Sequence, residues 1–230
     1  MIPKVIHYCW FGGNPLPESV KKLIGTWKKY CPDYEIKEWN ESNFDIHTLP
    51  YVKEAYKNRK WAFVSDVARL HALVNEGGIY MDTDVEVVRS LDPLLTNRAF
   101  LGFEGTKYIA TNMMGCEPQH PFFKTFLNTY SKRTFRKEDG TLDLTTNVVV
   151  ISKLLQDIYA LNMNGEEQMI GDIHIYPGEY FSPYDYISGK LKKSKLTYTI
   201  HWFDNSWIKQ STLRTKISQL YHRIIGKKME

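Results

Sequence analysis

Two aspartates separated by one residue, Asp82 and Asp84, are the strongest candidates for chemistry in this sequence. Residues two apart on an extended chain point to the same side, so the pattern predicts converging carboxylates with Thr83 facing away. Like charges this close repel each other, and a divalent cation between them removes the conflict. Carboxylate oxygens suit Mg²⁺ or Mn²⁺, which fill their remaining positions with water and substrate phosphates. The pair therefore predicts a metal site that accepts a diphosphate.

The context of this pair favours a functional site, because an isolated Asp-x-Asp is a weak signal. Apolar residues precede and follow it, and a Gly77-Gly78 turn leads into it from a helix-like segment. This arrangement places the acids at the end of a buried strand, where ligands gather in open α/β sheets. Glu86 is the nearest further acid, and on a strand it would share their face.

The segment before the turn has the period of an amphipathic helix. Its apolar face comprises Phe63, Val67, Leu70 and Val74. Asp66 and Arg69 lie three residues apart on a neighbouring face, and the simplest interpretation is a surface ion pair worth a few tenths of a kcal/mol. The alternative is a functional pair, since Ser65 and Asp66 interrupt an otherwise apolar run that begins at Trp61.

The order of these residues resembles the core of glycosyltransferase family 32, which includes capsular polysaccharide and mannosyltransferase-like enzymes. It is also similar to the glucosyltransferase domain of the large clostridial toxins. The shared features are a Ser-Asp-x-x-Arg helix, a Gly-Gly turn, a Tyr and an Asp-x-Asp, here Ser65-Asp66, Arg69, Gly77-Gly78, Tyr80, Asp82 and Asp84. The opening segment 2–13 resembles the first strand and glycine turn of those enzymes.

The resemblance implies an α/β protein with a GT-A fold, which is a Rossmann-like mixed sheet flanked by helices. It also implies sugar transfer with retention at the anomeric carbon. Among the catalytic positions, Asp66 and Arg69 would hold the sugar and diphosphate, and Asp82 would contact the ribose and donor sugar. Asp84 would bind the metal directly, with Asp82 beside it.

The same resemblance implies a set of substrate contacts. Trp10 would stack on the nucleotide base, Tyr80 would line the nucleotide pocket, and Asn112 would face the donor sugar. Gly12, directly after the first strand, permits a positive φ and a close approach of the backbone to a ligand. A plain buried strand leading into a helix from Pro121 is an equally good interpretation of the region around Asn112.

A late segment offers a further match. His201 would complete the metal site with Asp82 and Asp84, and Ser206 and Trp207 would cover the phosphates. The competing interpretation is that His201 is a hydrogen-bonded structural residue. Residues 145–147 stand where many relatives carry Gly-Pro, and this departure leaves the acceptor site unassigned.

The coarse pattern of elements agrees with an α/β sheet. Residues 5–10 and 34–39 read as strands, and 18–30 reads as a helix bracketed by prolines. We expect one glycosyltransferase domain over residues 1–207, followed by a basic amphipathic helix over 208–230. Docking of that helix on its own domain is favoured over contact with an anionic membrane.

Composition is that of a globular chain, with 43% hydrophobic and 24% charged residues among 230. A net charge of +4, with no basic and aromatic face recurring through the domain, argues against nucleic acid binding. Three cysteines, Cys9, Cys31 and Cys116, have neither a disulfide framework nor zinc spacing. No apolar run approaches the roughly 20 residues of a membrane span, so a cytoplasmic protein is expected, with peripheral contact at the inner membrane face as the alternative.

The sequence therefore predicts a metal-dependent retaining glycosyltransferase that moves a hexose from a nucleotide sugar, with Mn²⁺ or Mg²⁺ as cofactor. A UDP-hexose is the favoured donor and GDP-mannose the second. The expected acceptor is a saccharide or a lipid-linked sugar in surface polysaccharide or capsule biosynthesis, with a protein side chain second. A metal-dependent phosphohydrolase and a noncatalytic nucleotide-sugar binding module are the alternatives from other classes.

Overall fold

A computed structural model of the protein describes residues 1–203. Ser206, Trp207 and the predicted helix 208–230 lie outside the described residues. Within residues 1–203, no helix is both long enough and apolar enough to cross a bilayer.

The chain begins with a strand, a helix and a second strand, as the hydrophobic pattern predicts. Strand β1 is Val5–Cys9, helix α1 is Glu18–Tyr30 and strand β2 is Glu35–Trp39. Pro17 precedes α1 and Pro32 follows it, because proline fits before the first helical turn and cannot continue a helix at its end. Strands β1 and β2 pair in parallel, which the intervening helix makes possible.

Two more helices lead into the strand that carries the Asp-x-Asp. Helix α2 is Pro50–Lys57 and helix α3 is Trp61–Glu76, whose predicted apolar face is buried. Helix α3 ends at Gly77, which has φ +67°, and a Cβ there would lie 2.6 Å from Pro118 Cδ. Both the backbone conformation and the close packing therefore require glycine. Strand β3, Gly78–Met81, then pairs in parallel with β1.

The remaining strands complete a mixed sheet. In chain order they are β4 (Val85–Val87), β5 (Ala99–Glu104), β6 (Tyr108–Cys116), β7 (Gln168–Ile170), β8 (Ile173–Tyr176), β9 (Tyr184–Asp185), β10 (Lys190–Leu191) and β11 (Thr199–His201). Seven strands form the central sheet in the order β2-β1-β3-β6-β5-β8-β7. Strand β6 runs antiparallel to β3 and β5, whereas β5 and β8 are parallel. Strand β4 pairs with β11, and β9 pairs with β10.

Helices cover both faces of the central sheet. The later ones are a 3-10 helix at Asp92–Thr96, α4 (Pro121–Ser131), α5 (Asn147–Tyr159) and the short α6 (Gly178–Phe181). Because successive strand residues point to opposite faces, Tyr80 of β3 packs in the cluster with α3, α4 and α5, whereas Ile79 and Met81 pack in the cluster with α1. The predicted mixed sheet flanked by helices is confirmed. The three cysteines of the chain are buried free thiols.

Candidate active site

A cavity of about 380 Å³ lies at the edge of the sheet where β1, β3 and β5 end. This volume falls in the range of small-molecule sites, roughly 300–1,000 Å³. Its polar lining includes Ser65, Asp66, Arg69, Asp82, Asp84, Glu104, Thr111, Asn112, Asn147 and His201, and its aromatic lining includes Trp10, Phe11, Trp61, Tyr80 and Phe203. Residues predicted from separate parts of the sequence therefore meet in one cavity.

The Asp-x-Asp forms a turn rather than an extended strand, so the predicted geometry of this segment is wrong. Asp82 follows the last residue of β3, and the amide of Val85 donates to the Asp82 carbonyl over 3.1 Å. The Asp82 amide donates to the Asn112 carbonyl over 2.8 Å, which continues the β3–β6 pairing by one residue. The two carboxylates still converge, because the turn brings Asp84 back toward Asp82.

His201 joins this pair through strand pairing. In the antiparallel ladder between β4 and β11, His201 lies opposite Val85, next to Asp84. One ligand atom from each of Asp82, Asp84 and His201 lies within 4.8 Å of the others. Glu86 does not share this face as expected, because its carboxylate accepts a hydrogen bond of 3.0 Å from the Trp202 indole.

The chemistry of this cluster fits a divalent metal. His201 Nε2 lies 3.3 Å from an Asp84 oxygen, and its buried Nδ1 has no hydrogen-bond partner among the described residues. Burial alone would lower the pKa of His201, but the carboxylates of Asp84, Asp82 and Glu104 outweigh burial and raise it. Two carboxylates and one imidazole are donors that suit Mn²⁺, and carboxylates also suit Mg²⁺.

Arg69 connects the helix, the Asp-x-Asp turn and the sheet. Its Nη2 lies 3.3 Å from an oxygen of Asp66 and 3.3 Å from an oxygen of Asp82. Its Nη1 donates to the Thr111 carbonyl over 2.8 Å, and its guanidinium lies 4.4 Å from the centre of the Tyr80 ring. Tyr80 in turn donates its hydroxyl proton to Asp82 over 2.8 Å. The guanidinium is thereby fixed at the cavity wall.

Asp66 and Arg69 are buried, so the prediction of a surface ion pair from their spacing is wrong. Only 6% of Asp66 and 5% of Arg69 are exposed, and both line the cavity. Burial raises the pKa of Asp66 to about 6, with attraction to Arg69 opposing the rise and repulsion from Asp82 adding to it. For Arg69, the opposing charges of Asp82 and Asp66 outweigh burial and raise the pKa, so the guanidinium stays charged.

Two buried amides offer unused hydrogen-bond donors in the cavity. The Nδ2 atoms of Asn112 and Asn147 are buried and have no partner among the described residues. The Thr111 hydroxyl donates to Asn147 Oδ1 over 2.8 Å, which leaves the Asn147 amide nitrogen as the free end. Because a buried donor without a partner is costly, both groups are suited to binding oxygen atoms of a ligand.

Gly12, in the turn after β1, does not approach the ligand site as predicted. Its φ is +98°, as glycine permits, but it does not line the cavity. Its amide donates to Glu41 over 2.7 Å, and a Cβ would lie 2.8 Å from Trp61 Nε1. The close approach is therefore to a protein side chain rather than to a ligand. Trp10 does line the cavity, and its indole donates to the Asn14 carbonyl over 2.6 Å. Base stacking by Trp10 stays a prediction.

Sequence reasoning missed Glu104 and Asn147. Glu104 is the last residue of β5, where burial and the nearby charges of Asp82 and Asp84 raise its pKa against the opposing effect of His201. An acid that ends an apolar run was a readable signal. Asn147 begins α5, and only its contact with Thr111 of β6 reveals its place in the cavity.

The mixed sheet, the Asp-x-Asp turn at its carboxyl edge and the adjoining cavity are the features of a GT-A fold, which the resemblance implies. Residues 17–101 match the family model described as "Glycosyltransferase sugar-binding region containing DXD motif". Over these residues the chain is similar to the sugar-binding region of this family, and the resemblance noted in the sequence is confirmed.

Individual relatives agree with this assignment. "Inositol phosphoceramide mannosyltransferase 3" of Schizosaccharomyces pombe is 36% identical over 129 residues, which cover 53% of this chain and 35% of that protein. The chain thus spans about a third of the length of this relative. "Uncharacterized glycosyltransferase L373" of Acanthamoeba polyphaga mimivirus is 25% identical over 90% of this chain and 84% of that protein. The solved structure "PaToxG Glycosyltransferase" shares the fold, with a TM-score of 0.56, 21% identity and coverage of 68% and 69% of the two chains.

Proposed function

We propose that the protein is a metal-dependent, retaining hexosyltransferase that uses a nucleoside diphosphate sugar as donor. The observation that carries this proposal is the convergence of Asp82, Asp84 and His201 in the same cavity as the buried pair Asp66 and Arg69. A divalent cation and a fixed guanidinium side by side form the surroundings that a departing nucleoside diphosphate requires.

Each group has a role that follows from its charge and place. Asp82, Asp84 and His201 would hold the metal, which supplies positive charge against the diphosphate. Arg69 adds a second fixed positive group whose orientation is set by its carboxylate neighbours and by the sheet. Asp66, which is mostly ionised at neutral pH, would accept hydrogen bonds from sugar hydroxyls.

The amide donors and the aromatic lining complete the proposed donor site. Asn112 and Asn147 would donate to hydroxyl or phosphate oxygens, since their buried Nδ2 atoms have no other partner among the described residues. Trp10, which lines the cavity, would stack on the base. A dry, enclosed site is needed because water would hydrolyse the donor.

Donor and acceptor are proposed at the level of chemical class. The transferred sugar is a hexose, and the name of the fission-yeast relative supports mannose, so GDP-mannose now competes with the UDP-hexose favoured by the sequence. The acceptor is a saccharide or a lipid-linked sugar of surface polysaccharide or capsule biosynthesis. That relative is named for a lipid acceptor, which supports the lipid-linked alternative. We also propose a cytoplasmic location, which the buried free thiols fit.

Thermal unfolding tests the donor site directly. Purified protein is heated with UDP, GDP, CDP or ADP, each with and without Mn²⁺. A ligand at about 100 times its dissociation constant adds roughly 2.7 kcal/mol, which raises the melting temperature of a domain of this size by several degrees. We expect one of the four diphosphates to raise the melting temperature in a Mn²⁺-dependent manner. If that diphosphate is UDP or GDP, it identifies the donor as a UDP-sugar or a GDP-sugar.

Two variants make this test specific. Asp84→Ala should lose the Mn²⁺-dependent rise, whereas Asp157→Ala, at an exposed ion pair on α5, should keep it. A folded wild-type protein that responds to none of the four diphosphates would contradict the proposed function.

A further inference from the structure

The hairpin formed by β9 and β10 exposes an unusual concentration of apolar side chains. We define the hairpin surface as residues 184–196 together with Trp202. Its exposed large apolar residues are Tyr186, Ile187, Leu191, Leu196 and Trp202, with exposed fractions of 56%, 54%, 42%, 44% and 36%. These are five of the eleven large hydrophobic residues that are exposed within residues 1–203. Scattered apolar residues need no explanation, but a contiguous group points to a binding surface.

The tip of the hairpin is held in shape by Asp185. Its carboxylate accepts hydrogen bonds from the amides of Ile187 and Ser188, over 2.9 and 3.3 Å, and from the Ser188 hydroxyl over 2.7 Å. Burial alone would raise the pKa of Asp185, but these hydrogen bonds outweigh it and lower the pKa. The amide of Gly189 closes the turn on the Asp185 carbonyl over 2.7 Å. The apolar tip is therefore presented on an ordered turn.

Positive charge accompanies the apolar residues. Lys192, Lys193 and Lys195 are exposed along the chain that follows β10. The nearest acid on the hairpin, Asp185, uses both carboxylate oxygens to hold the turn. Arg89 lies alongside, where its guanidinium donates to the Lys195 carbonyl over 2.6 Å. The hairpin surface thus combines exposed aliphatic and aromatic groups with a net positive charge.

The hairpin surface contacts the lining of the candidate active-site cavity. The Tyr186 ring lies 4.8 Å from the ring of Phe203, which lines the cavity and lies 3.9 Å from the His201 ring. The Trp202 ring lies 5.3 Å from the Tyr184 ring, so the hairpin and the end of β11 pack together. A partner bound at the hairpin is therefore held next to the candidate metal ligands Asp82, Asp84 and His201.

We propose that the hairpin surface docks the protein on an anionic lipid bilayer, with the lysines at the lipid phosphates and Ile187 and Leu191 in the interface. Aromatic residues with a polar group, such as Tyr186 and Trp202, prefer the same depth. Lysine near an anionic surface and apolar groups beside it are the two components of interfacial binding. Docking on the bilayer would present a lipid-linked acceptor to the cavity, and this role of the surface rests on the proposed function.

Binding to vesicles tests this proposal without any use of activity. The full chain is mixed with vesicles of phosphatidylcholine alone or of phosphatidylcholine with about 30% phosphatidylglycerol, an anionic lipid that gives the surface a negative potential. We expect sedimentation with the anionic vesicles and little with the neutral ones. Replacing Lys192, Lys193 and Lys195 by Gln should lower the partition coefficient on the order of 100-fold. Ile187→Ser with Leu191→Ser should lower it about tenfold.

Matched variants elsewhere on the surface serve as controls. Ile158→Ser with Met169→Ser removes two apolar side chains that are 50% and 62% exposed, and Lys22, Lys28 and Lys29 of α1 provide three exposed lysines for Gln substitution. The controls should bind as the wild type does. No binding by the wild type, or equal binding by control and hairpin variants, would overturn the proposal. The Mn²⁺-dependent thermal shift with nucleotides, measured on the same variants, stays unchanged in either case if the proposed function is right.

Discussion

Asp66 is expected to weaken the fold while serving the active site, and Asp66→Asn tests this. The buried carboxyl has its pKa raised from an ordinary value of 3.8 to about 6. A carboxyl whose pKa is raised on folding binds more protons in the folded state. Its contribution is therefore fully favourable below pH 3.8 and is lost as the pH rises through about 6. The difference between the two pKa values corresponds to a penalty of about 3 kcal/mol at pH 8.

Asparagine has the same shape as aspartate and carries no charge, so Asp66→Asn removes this penalty. We expect the variant to exceed the wild type in free energy of unfolding by up to about 3 kcal/mol at pH 8, and by little at pH 4. For a chain of this size the gain corresponds to a rise in melting temperature of roughly 6–12 °C. Denaturant unfolding of both proteins at several pH values, without metal or nucleotide, provides the measurement. Titrating groups that do not interact with Asp66 cancel in the difference.

Asp143 provides a control of opposite sign. Hydrogen bonds from Arg133 and Thr145 outweigh burial and lower its pKa, so its charge is stabilising. Asp143→Asn should therefore destabilise the protein at pH 8, with the loss shrinking as the pH falls through the folded pKa. If Asp66→Asn is no more stable than the wild type at pH 8, or if its effect does not depend on pH, the account of Asp66 is refuted.

Further variants probe the metal cluster, the amide donors and the sheet. Asp84→Ala should lower kcat by at least about 100-fold, since a metal supplies several kcal/mol of charge stabilisation, and unchanged turnover would remove the metal from the mechanism. Asn147→Ala should lower kcat/KM about tenfold, as expected for the loss of one hydrogen bond to the substrate. Thr111→Val should reproduce part of this loss, because it removes the hydroxyl that holds the Asn147 amide. A wild-type kcat/KM for Asn147→Ala would exclude a contact between Asn147 and the substrate. Gly115→Ala should destabilise the fold by about 1–3 kcal/mol, because a Cβ there would lie 2.1 Å from a ring carbon of Phe100 on the next strand. Gly25→Ala in α1 has open space around the new Cβ and should stabilise the fold. Chemical denaturation of both variants measures the contrast.

The fold could be predicted well where the signals are local. Helix α1 has the predicted bounds because its period and the flanking prolines both lie within a short segment. Strand β3 was predicted by the apolar residues around the Gly77-Gly78 turn. The extended geometry expected for Asp82-Thr83-Asp84 is wrong, because the backbone turns there to start β4. Aspartate is common in turns and depleted in strands, so the residue types of this segment are compatible with the turn.

The candidate site could be predicted only in part, because some of its residues meet through long-range strand pairing. His201 reaches Asp84 only because β11 pairs with β4, more than a hundred residues earlier in the chain. Asn147 enters the cavity through its contact with Thr111 on the antiparallel strand β6. The order of strands in a mixed sheet cannot be predicted from the hydrophobic period of any local segment. Burial also decides the character of Asp66 and Arg69, which spacing alone assigns to the surface.

The central claim is that the bond between the sugar and the diphosphate is broken on the sugar side with the help of a divalent cation. Phosphorus NMR tests it directly, with Mg²⁺ as the cation and UDP-hexoses or GDP-mannose as donors, for the wild type and Asp84→Ala. With no other acceptor added, the account predicts slow, metal-dependent transfer of the hexose to water with release of the nucleoside diphosphate by the wild type, and a loss of this release in the variant. Release of nucleoside monophosphate with a sugar phosphate would instead show cleavage of the diphosphate by a phosphohydrolase and would contradict the account.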